Sequence, residues 1–351
     1  MRVGIEGTHI FDARQEGAIP VLDRARDLEL EGVFFKSVLD LSPTLDRGEL
    51  EEVKAHADSL DLYVEVGVGL INPFALAEKP RIRALGGGDT LRAFELMIEA
   101  AAWIGCADLL AVTGQWKAGL PGRYAYDRFR TDVSWAQQLD ATEVFIRRLA
   151  PALRGNGARI ALETHEEITS FEVARMIENV GADVLGATFD VGNVLVRGED
   201  PVAAARRLAP FVRLSHVKDA VMLLRPHGMV RQLRPCGQGV VDWPELLSVL
   251  HSGNPGLNLS IEDNQGYMDV EYRDPDWLAA HPDLTEEELA GVVELARSSE
   301  DRIAAGVWPE AAGYDAHPWE EHKLVRLRES RDFLRSALAE AGFDRRPVRG
   351  G

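Results

Sequence analysis

Apolar runs of strand length alternate with longer amphipathic stretches along most of this chain. The runs fall near residues 2–8, 32–38, 62–68, 107–113, 159–165, 185–191, 212–218 and 257–262. Between them, apolar positions recur at helical spacing near 19–29, 47–60, 89–105, 138–154, 171–180, 200–208, 243–252 and 285–304. Alternation of this kind predicts parallel strands covered by helices. Eight such units predict a (β/α)8 barrel, an architecture of roughly 250 residues before insertions. Several boundaries carry local signals. Asp242 precedes Glu245, and Thr285 precedes Glu288, at capping-box spacing. Asp89, after Gly86-Gly87-Gly88, suits a helix N-cap.

Connection lengths orient the barrel. Helix-to-strand links such as Leu30-Glu31 and Gly105-Cys106 are short, whereas several strand-to-helix links are long. The link after the fourth strand runs from about Gly114 to Ala136 and carries Trp116, Tyr124, Tyr126 and Phe129. Long loops belong to the face where barrel strands end, which is where the fold does its chemistry. The barrel is assigned to residues 1–305 and a helical extension to 306–351. Within the extension, Trp319 to Ala341 reads as one helix, with Leu324, Leu327, Leu334 and Leu338 on one stripe. Such a stripe is expected to pack on the barrel or on a second chain.

The composition, 46% hydrophobic and 27% charged, is that of a globular protein. Cys106 and Cys236 are the only cysteines and lack CxxC spacing, so a reducing compartment is expected and not a disulfide framework. The chain enters its first strand at Met1-Arg2-Val3-Gly4-Ile5-Glu6 without a signal-like apolar segment, and no run approaches the roughly 18 apolar residues of a membrane span. These features predict a cytoplasmic location. A net charge of −18 argues against nucleic acid and anionic membrane as partners, since both are held through Lys and Arg.

Four polar residues change the picture. Glu163, Asp190, His216 and Glu262 each close an apolar run of strand type. Asp190 follows Glu163 by 27 residues and His216 follows Asp190 by 26, each about one strand-helix unit. Parallel-barrel geometry brings such positions to one face. A buried carboxylate costs several kcal/mol unless it is paired, protonated or bound to a cation, so three converging on one imidazole predict a divalent metal. Three carboxylates and one imidazole form a hard set that suits Mn²⁺, Mg²⁺ or Co²⁺, with Mn²⁺ expected. His165 lies two residues beyond Glu163 and is expected to face the same way. Asn193 and Lys218 fall just past Asp190 and His216 and are candidate substrate contacts. Lys218 has an equal alternative as an ion-pair partner of a ligand carboxylate. Arg225 and His227, in the loop assigned after the seventh strand, are candidates for a polar or anionic substrate. Glu6 and Glu65 are further candidate contacts for substrate hydroxyls, with structural pairing to Lys36 as the alternative.

Around these residues the chain resembles the xylose isomerase-like TIM barrels. Leu162-Glu163-Thr164-His165, Phe189-Asp190-Val191-Gly192-Asn193, Ser215-His216-Val217-Lys218-Asp219, Gly237-Gln238-Gly239-Val240-Val241-Asp242-Trp243 and Ser260-Ile261-Glu262 are similar to successive motifs of that family. The family includes sugar and sugar-phosphate isomerases and epimerases, hydroxypyruvate isomerases and inosose dehydratases. The resemblance implies metal ligands at Glu163, Asp190, His216 and Glu262. The chain departs from the common pattern at Gln238, where Glu is usual, and at Asn193, where ketose epimerases often carry His.

The same residues suggest a reaction. A cation can polarise the carbonyl and adjacent hydroxyl of a ketose, lowering the barrier to an enediolate. Glu163 and Glu262, arriving from different strands, can remove and return a proton. This predicts a metal-dependent ketose isomerase or epimerase. With His165 as base and a leaving group β to the ketone, the same site would instead act as a lyase or dehydratase on a keto-sugar, cyclitol or 3-oxo-glycoside. That alternative resembles the α subunits of C-glycoside-cleaving enzymes and would allow a small partner subunit; a homo-oligomer is the other possible assembly.

Overall fold

A computed structural model of the chain describes residues 1–77 and 79–343. Eleven strands are present among them: β1 (Val3–Glu6), β2 (Gly32–Phe35), β3 (Tyr63–Leu70), β4 (Asp108–Val112), β5 (Arg159–Glu163), β6 (Leu185–Asp190), β7 (Val212–Val217), β8 (Asp219–Arg225), β9 (Gly228–Arg234), β10 (Leu259–Ile261) and β11 (Tyr267–Val270). Eight of them close a parallel barrel in the order β1-β10-β7-β6-β5-β4-β3-β2. These are the eight strands the sequence pattern predicts, β10 being the eighth, and the fold is a (β/α)8 TIM barrel with a C-terminal helix.

Alternate residues of each strand point into the barrel, and they stack in layers. Tyr63 fills the bottom. A Cβ on Gly4 or Gly32 would stand 2.1 Å from its hydroxyl or its ring, so only glycine admits Tyr63 there. Above it Phe34, Leu110, Ala161 and Leu214 form a small apolar layer of their own. Ala161 and Leu214 each lie two residues before a predicted ligand, so Glu163 and His216 occupy the next layer up. Phe34 meets the His216 ring edge-on at 4.6 Å. The apolar layer thus forms a dry floor beneath the polar one.

The outer helices bury their inward stripes on the barrel, as the helix Ser170–Val180 does with Val173, Met176 and Ile177. Its N-cap Thr169 and Glu172 form a complete capping box. Asp89, Asp242 and Thr285 cap the helices Thr90–Trp103, Trp243–Gly253 and Glu286–Ala304 as their positions predict. No helix of the described residues is long and apolar enough to cross a membrane.

The stretch after β7 departs from the expected loop. β8 and β9 form an antiparallel hairpin, and β11 pairs with β9 to make a three-stranded sheet. Ala220 to Leu224 is an apolar run before Pro226-His227-Gly228, and Met229, Val230 and Leu233 supply the apolar positions after it. They bury Met222, Met229 and Leu233 with Val292 and Ala296 of the helix Glu286–Ala304. Gly228, at φ 152°, is pressed against β11, where a Cβ would lie 2.0 Å from the Val270 carbonyl oxygen.

The final helix, Trp319–Ala341, packs on the barrel. Leu327, Leu334 and Leu338 join the main apolar core, and Leu324 packs against it half-buried. Its charged groups also reach the barrel. Arg326 grips Asp263 with two hydrogen bonds of 2.7 Å each. The Met1 ammonium donates to the Phe343 carbonyl at 2.9 Å. The part of the predicted extension beyond residue 343 lies outside the described residues.

Candidate metal centre

Strand register assembles the site. Asp190 and His216 are direct partners across β6 and β7, Glu163 pairs with Thr188 of β6, and His216 pairs with Ser260 of β10. Glu262 follows β10 and is held by its backbone N–H on the Val217 carbonyl at 3.1 Å. Each of these four residues offers one ligand atom within 4.8 Å of the others, and all four are buried. Ligands on opposite sides of a cation with bonds of about 2.0–2.4 Å are about 4–4.8 Å apart, so the cluster has the width of a single divalent ion.

The donors themselves fit that ion. Asp190 Oδ1 is used by its own turn, accepting from the Gly192 and Asn193 N–H groups at 3.0 and 2.9 Å. Its Oδ2 makes no hydrogen bond and lies 2.8 Å from the Lys218 ammonium. His216 Nδ1 lies 3.1 Å from Glu163 Oε1 and 3.6 Å from Glu262 Oε2. Glu163 keeps its second oxygen without a hydrogen-bond partner among the described residues. Three carboxylates and an imidazole, with no thiolate, form an oxygen-rich set suited to a hard divalent ion.

Two lysines balance the cluster. Lys218 bonds Glu262 Oε2 at 2.7 Å, and Lys36 lies 2.7 Å from Glu262 Oε1. Burial raises the pKa of a carboxylate, yet Lys218 and Lys36 hold Glu262 well below its usual range. Glu163 is likewise lowered against its burial, chiefly by His216. Burial, with Glu262 and Glu163 close by, pushes Asp190 up to about 7 despite Lys218. Burial favours neutral His216, but Glu262 and Glu163 push it up to about 9.

The other predicted residues sort into those near the cluster and those away from it. Lys218 pairs with the carboxylates of Asp190 and Glu262, the alternative its position left open. Lys36 joins the site through Glu262, which the sequence reading missed by assigning it to Glu6 and Glu65. The signal was present, because Lys36 stands two residues past inward-facing Phe34. Glu6 accepts from the Thr8 hydroxyl and N–H and lies 3.0 Å from His9 Nδ1. With His9 and Glu262 it forms a second, smaller group of potential ligands. Glu65 lies deeper, bonded by the Asn258 amide at 2.8 Å, and burial pushes it up to about 7. Asn193 is buried, its side-chain oxygen taking a 3.0 Å bond from Arg231.

His165 lies just past the end of β5 and pairs with Glu167, a residue no sequence pattern singles out. Its Nδ1 is 2.5 Å from Glu167 Oε2, while Glu167 Oε1 accepts from the Thr113 hydroxyl at 2.7 Å. Glu167 is fully buried, so it fixes the ring from below. Burial favours a neutral ring, but Glu167, Glu163 and Glu166 push His165 up to about 10. A ring protonated in this way donates a proton, and its neutral form is the one that the elimination reading uses as base. Arg225 stands at the exposed end of β8, bonded to the Leu224 carbonyl. Six residues past Asp219, it is about 20 Å up the hairpin from the barrel mouth at ordinary strand rise.

Residues 22–297 match the xylose isomerase-like TIM barrel family. The chain belongs to that family. A curated relative, YihM of Escherichia coli strain K12, is 25% identical over 135 residues, 38% of this chain and 40% of that protein. The match thus spans about two fifths of that relative's length. Among solved structures, L-ribulose 3-epimerase aligns with TM-score 0.58 and 16% identity, covering 97% of this chain and 95% of that one. The 3-keto-D-glucoside 4-epimerase YcjR of E. coli aligns with TM-score 0.56 and 16% identity, covering 84% and 99%. A xylose isomerase-like TIM barrel protein from Mycobacterium smegmatis in complex with magnesium aligns with TM-score 0.55 and 15% identity, covering 84% and 97%. At these identities the structures establish the shared fold.

Proposed function

We propose that this protein is a divalent-cation-dependent isomerase or epimerase of a ketose or related carbohydrate. The observation that carries the reading is the buried convergence of Glu163, Asp190, His216 and Glu262 within the span of one ion. These four residues would hold the cation, with Mn²⁺ our choice among the hard divalent ions. When bound, it supplies Lewis-acid polarisation of a carbonyl and its neighbouring hydroxyl. The remaining chemistry belongs to the side chains. Glu163, with one oxygen unbonded, would take a proton from the carbon beside the carbonyl. Glu262, whose charge is spread over Lys36 and Lys218, is the weaker base and suits the return step. Lys36 and Lys218 offer positive charge to substrate oxygens, and the apolar floor of Phe34 and Leu214 closes the site from below. Epimerases of pentulose and keto-glucoside type among the fold relatives support a carbohydrate substrate.

The His165–Glu167 pair favours a second reading, elimination from a 3-oxo-glycoside or related keto-sugar. A ring fixed at Nδ1 by a buried carboxylate leaves Nε2 as its working atom, ready to move a proton to or from a leaving group. One experiment separates the two readings. Protein loaded with Mn²⁺ is incubated with ketoses and 3-oxo-glycosides in D₂O, with deuterium uptake and group release both followed. Deuterium uptake without group release supports the isomerase or epimerase, and release of water or an aglycone supports elimination. Neither outcome with any member of the panel, by protein that binds the ion, would overturn both.

A further inference from the structure

Beyond His165, on the same face of the barrel, three arginines are folded into the wall. Arg128 and Arg231 are each balanced by a carboxylate. Arg128 Nη1 bonds both oxygens of Glu172 at 3.0 and 2.8 Å, and Arg231 Nη2 bonds Glu166 at 3.1 Å. Arg197 is not balanced. It closes the short turn Val194–Arg197 that follows β6, and only 2% of its surface is exposed. Its Nη1 meets His281 Nε2 at 3.1 Å, an acceptor because His281 Nδ1 donates to the Trp277 carbonyl at 2.6 Å. Its Nε is buried without a partner, and its Nη2 has none among the described residues. The rings of Phe129 and Trp277 flank the guanidinium at 5.7 and 6.0 Å.

Burying a cation without a counter-ion costs more than two aromatic faces and one imidazole return. Burial and the repulsion of Arg128 lower its pKa to about 10, as expected of a guanidinium short of an anion. The charges that reach it include those of Glu166 and Glu167, both already committed to Arg231 and His165. Tyr126 stands in the same neighbourhood. Its ring is buried, it feels the charges of Glu166, Arg231 and Arg197, and its hydroxyl has no hydrogen-bond partner among the described residues. The wall is tied to the metal centre through Arg231, whose Nη1 bonds the Gly192 carbonyl and Asn193 side chain just past Asp190.

We infer that Arg197, together with the unpaired Tyr126 hydroxyl, is a subsite for an oxyanion carried by the substrate, a phosphate monoester or a carboxylate. This rests on the proposed carbohydrate function and names its substrate class, an anionic ketose in preference to a neutral one. A guanidinium with an uncommitted fork suits either oxyanion, and an anion there completes the charge balance that the fold leaves open.

The test uses the full-length protein in chelator, so that binding is read apart from metal and turnover. Inorganic phosphate and acetate are titrated by calorimetry, one arm for each source of the oxyanion. Phosphate or acetate is expected to bind, with at least a tenfold loss of affinity in Arg197→Gln, a smaller loss in Arg197→Lys and a few-fold loss in Tyr126→Phe. The tighter of the two probes identifies the group. If neither binds the wild-type protein, or if affinity is unchanged in a folded Arg197→Gln, the subsite is overturned. Should Arg197→Gln not fold, an unchanged affinity in Tyr126→Phe together with Arg197→Lys overturns it equally. Loss of oxyanion binding in the variants, alongside no deuterium uptake with any ketose, leaves this subsite standing and removes the carbohydrate reading. Deuterium uptake with neutral ketoses and no oxyanion binding does the reverse.

Discussion

Buried carboxylates occur in this protein in two settings, and the contrast separates chemistry from scaffolding. Asp219, just beyond the barrel mouth, accepts from the N–H groups of Ala220, Gly237 and Val241 and from the Trp243 indole, at 2.8, 3.0, 3.2 and 2.8 Å. Every donor there is fixed by the backbone or by a packed ring. Asp263 is similarly closed by the two-pronged grip of Arg326. Glu262, its immediate neighbour, faces the barrel axis and is balanced chiefly by the ends of two lysine side chains, with the His216 and His9 rings at 3.6 Å. The Glu163 carboxylate takes its one hydrogen bond among the described residues from an imidazole. Rigid donors satisfy a carboxylate permanently, whereas a flexible ammonium can yield to a cation or a substrate oxygen. Asp219 and Asp263 therefore read as structure and Glu163 and Glu262 as machinery, although all four are buried acids on neighbouring strand ends.

The sharpest way to break the comparison is to neutralise one acid from each group. Glu163→Gln is expected to lower turnover by about 10²–10⁴-fold, the usual size of a general-base effect, and to weaken ion binding with little loss of thermal stability. Asp219→Ala should do the opposite. It strands four donors, three of them in buried hydrogen bonds, and is expected to cost more than about 3 kcal/mol in chemical denaturation. Ion stoichiometry per folded molecule should remain that of the wild type. If Glu163→Gln unfolds the protein, or Asp219→Ala costs less than about 1 kcal/mol, the division between the two settings collapses.

Most of the candidate metal cluster was legible because parallel strands have a period of two and a common direction. Once Phe34, Ala161 and Leu214 are inward, Lys36, Glu163 and His216 must be inward too. Which cation meets which carboxylate was not legible. Lys36 sits between Glu6 and Glu262 in the closed barrel, and only closure of β1 onto β10 makes Glu262 its partner. The Glu167 support beneath His165 depends on a turn that reverses the chain within four residues, for which alternation gives no rule. The β8–β9 hairpin hid behind its own composition. Ala220 to Leu224 is a continuous apolar run, which lacks the alternation of a half-exposed strand because the helix Glu286–Ala304 covers it. Arg326 on Asp263 joins residues 63 positions apart on different elements, a pairing set by packing and not by pattern.

The pH dependence of ion binding sharpens the comparison further, since only flexible partners are displaced. His216, held at about 9, and Asp190, at about 7, both carry protons near neutrality that a bound cation must displace. Raised folded values mean the protonated forms dominate below them, so affinity should climb as pH rises and level off above about 9. A slope of about tenfold per pH unit is expected for each proton released. Titrations of Mn²⁺ in buffers of different ionisation enthalpy measure that release directly. A flat affinity between pH 6 and 9 would show that these groups do not hold the ion.

The smallest expected effect is that of Arg225→Ala. Arg225 is charged, near the site in sequence and part of the motif-rich stretch after His216, so sequence alone made it a candidate for the substrate. The fold carries it up an antiparallel hairpin to an exposed end, where its guanidinium bonds the carbonyl of its own neighbour. An exposed side chain in such a contact contributes little, within about 0.5 kcal/mol of nothing. Turnover, ion affinity and melting temperature of Arg225→Ala should therefore match the wild type, while Lys218→Ala, seven residues earlier and buried between Asp190 and Glu262, should disturb all three. A selective rise in KM for Arg225→Ala would mean that the hairpin folds over the mouth when substrate binds, and that the two settings exchange residues during the reaction.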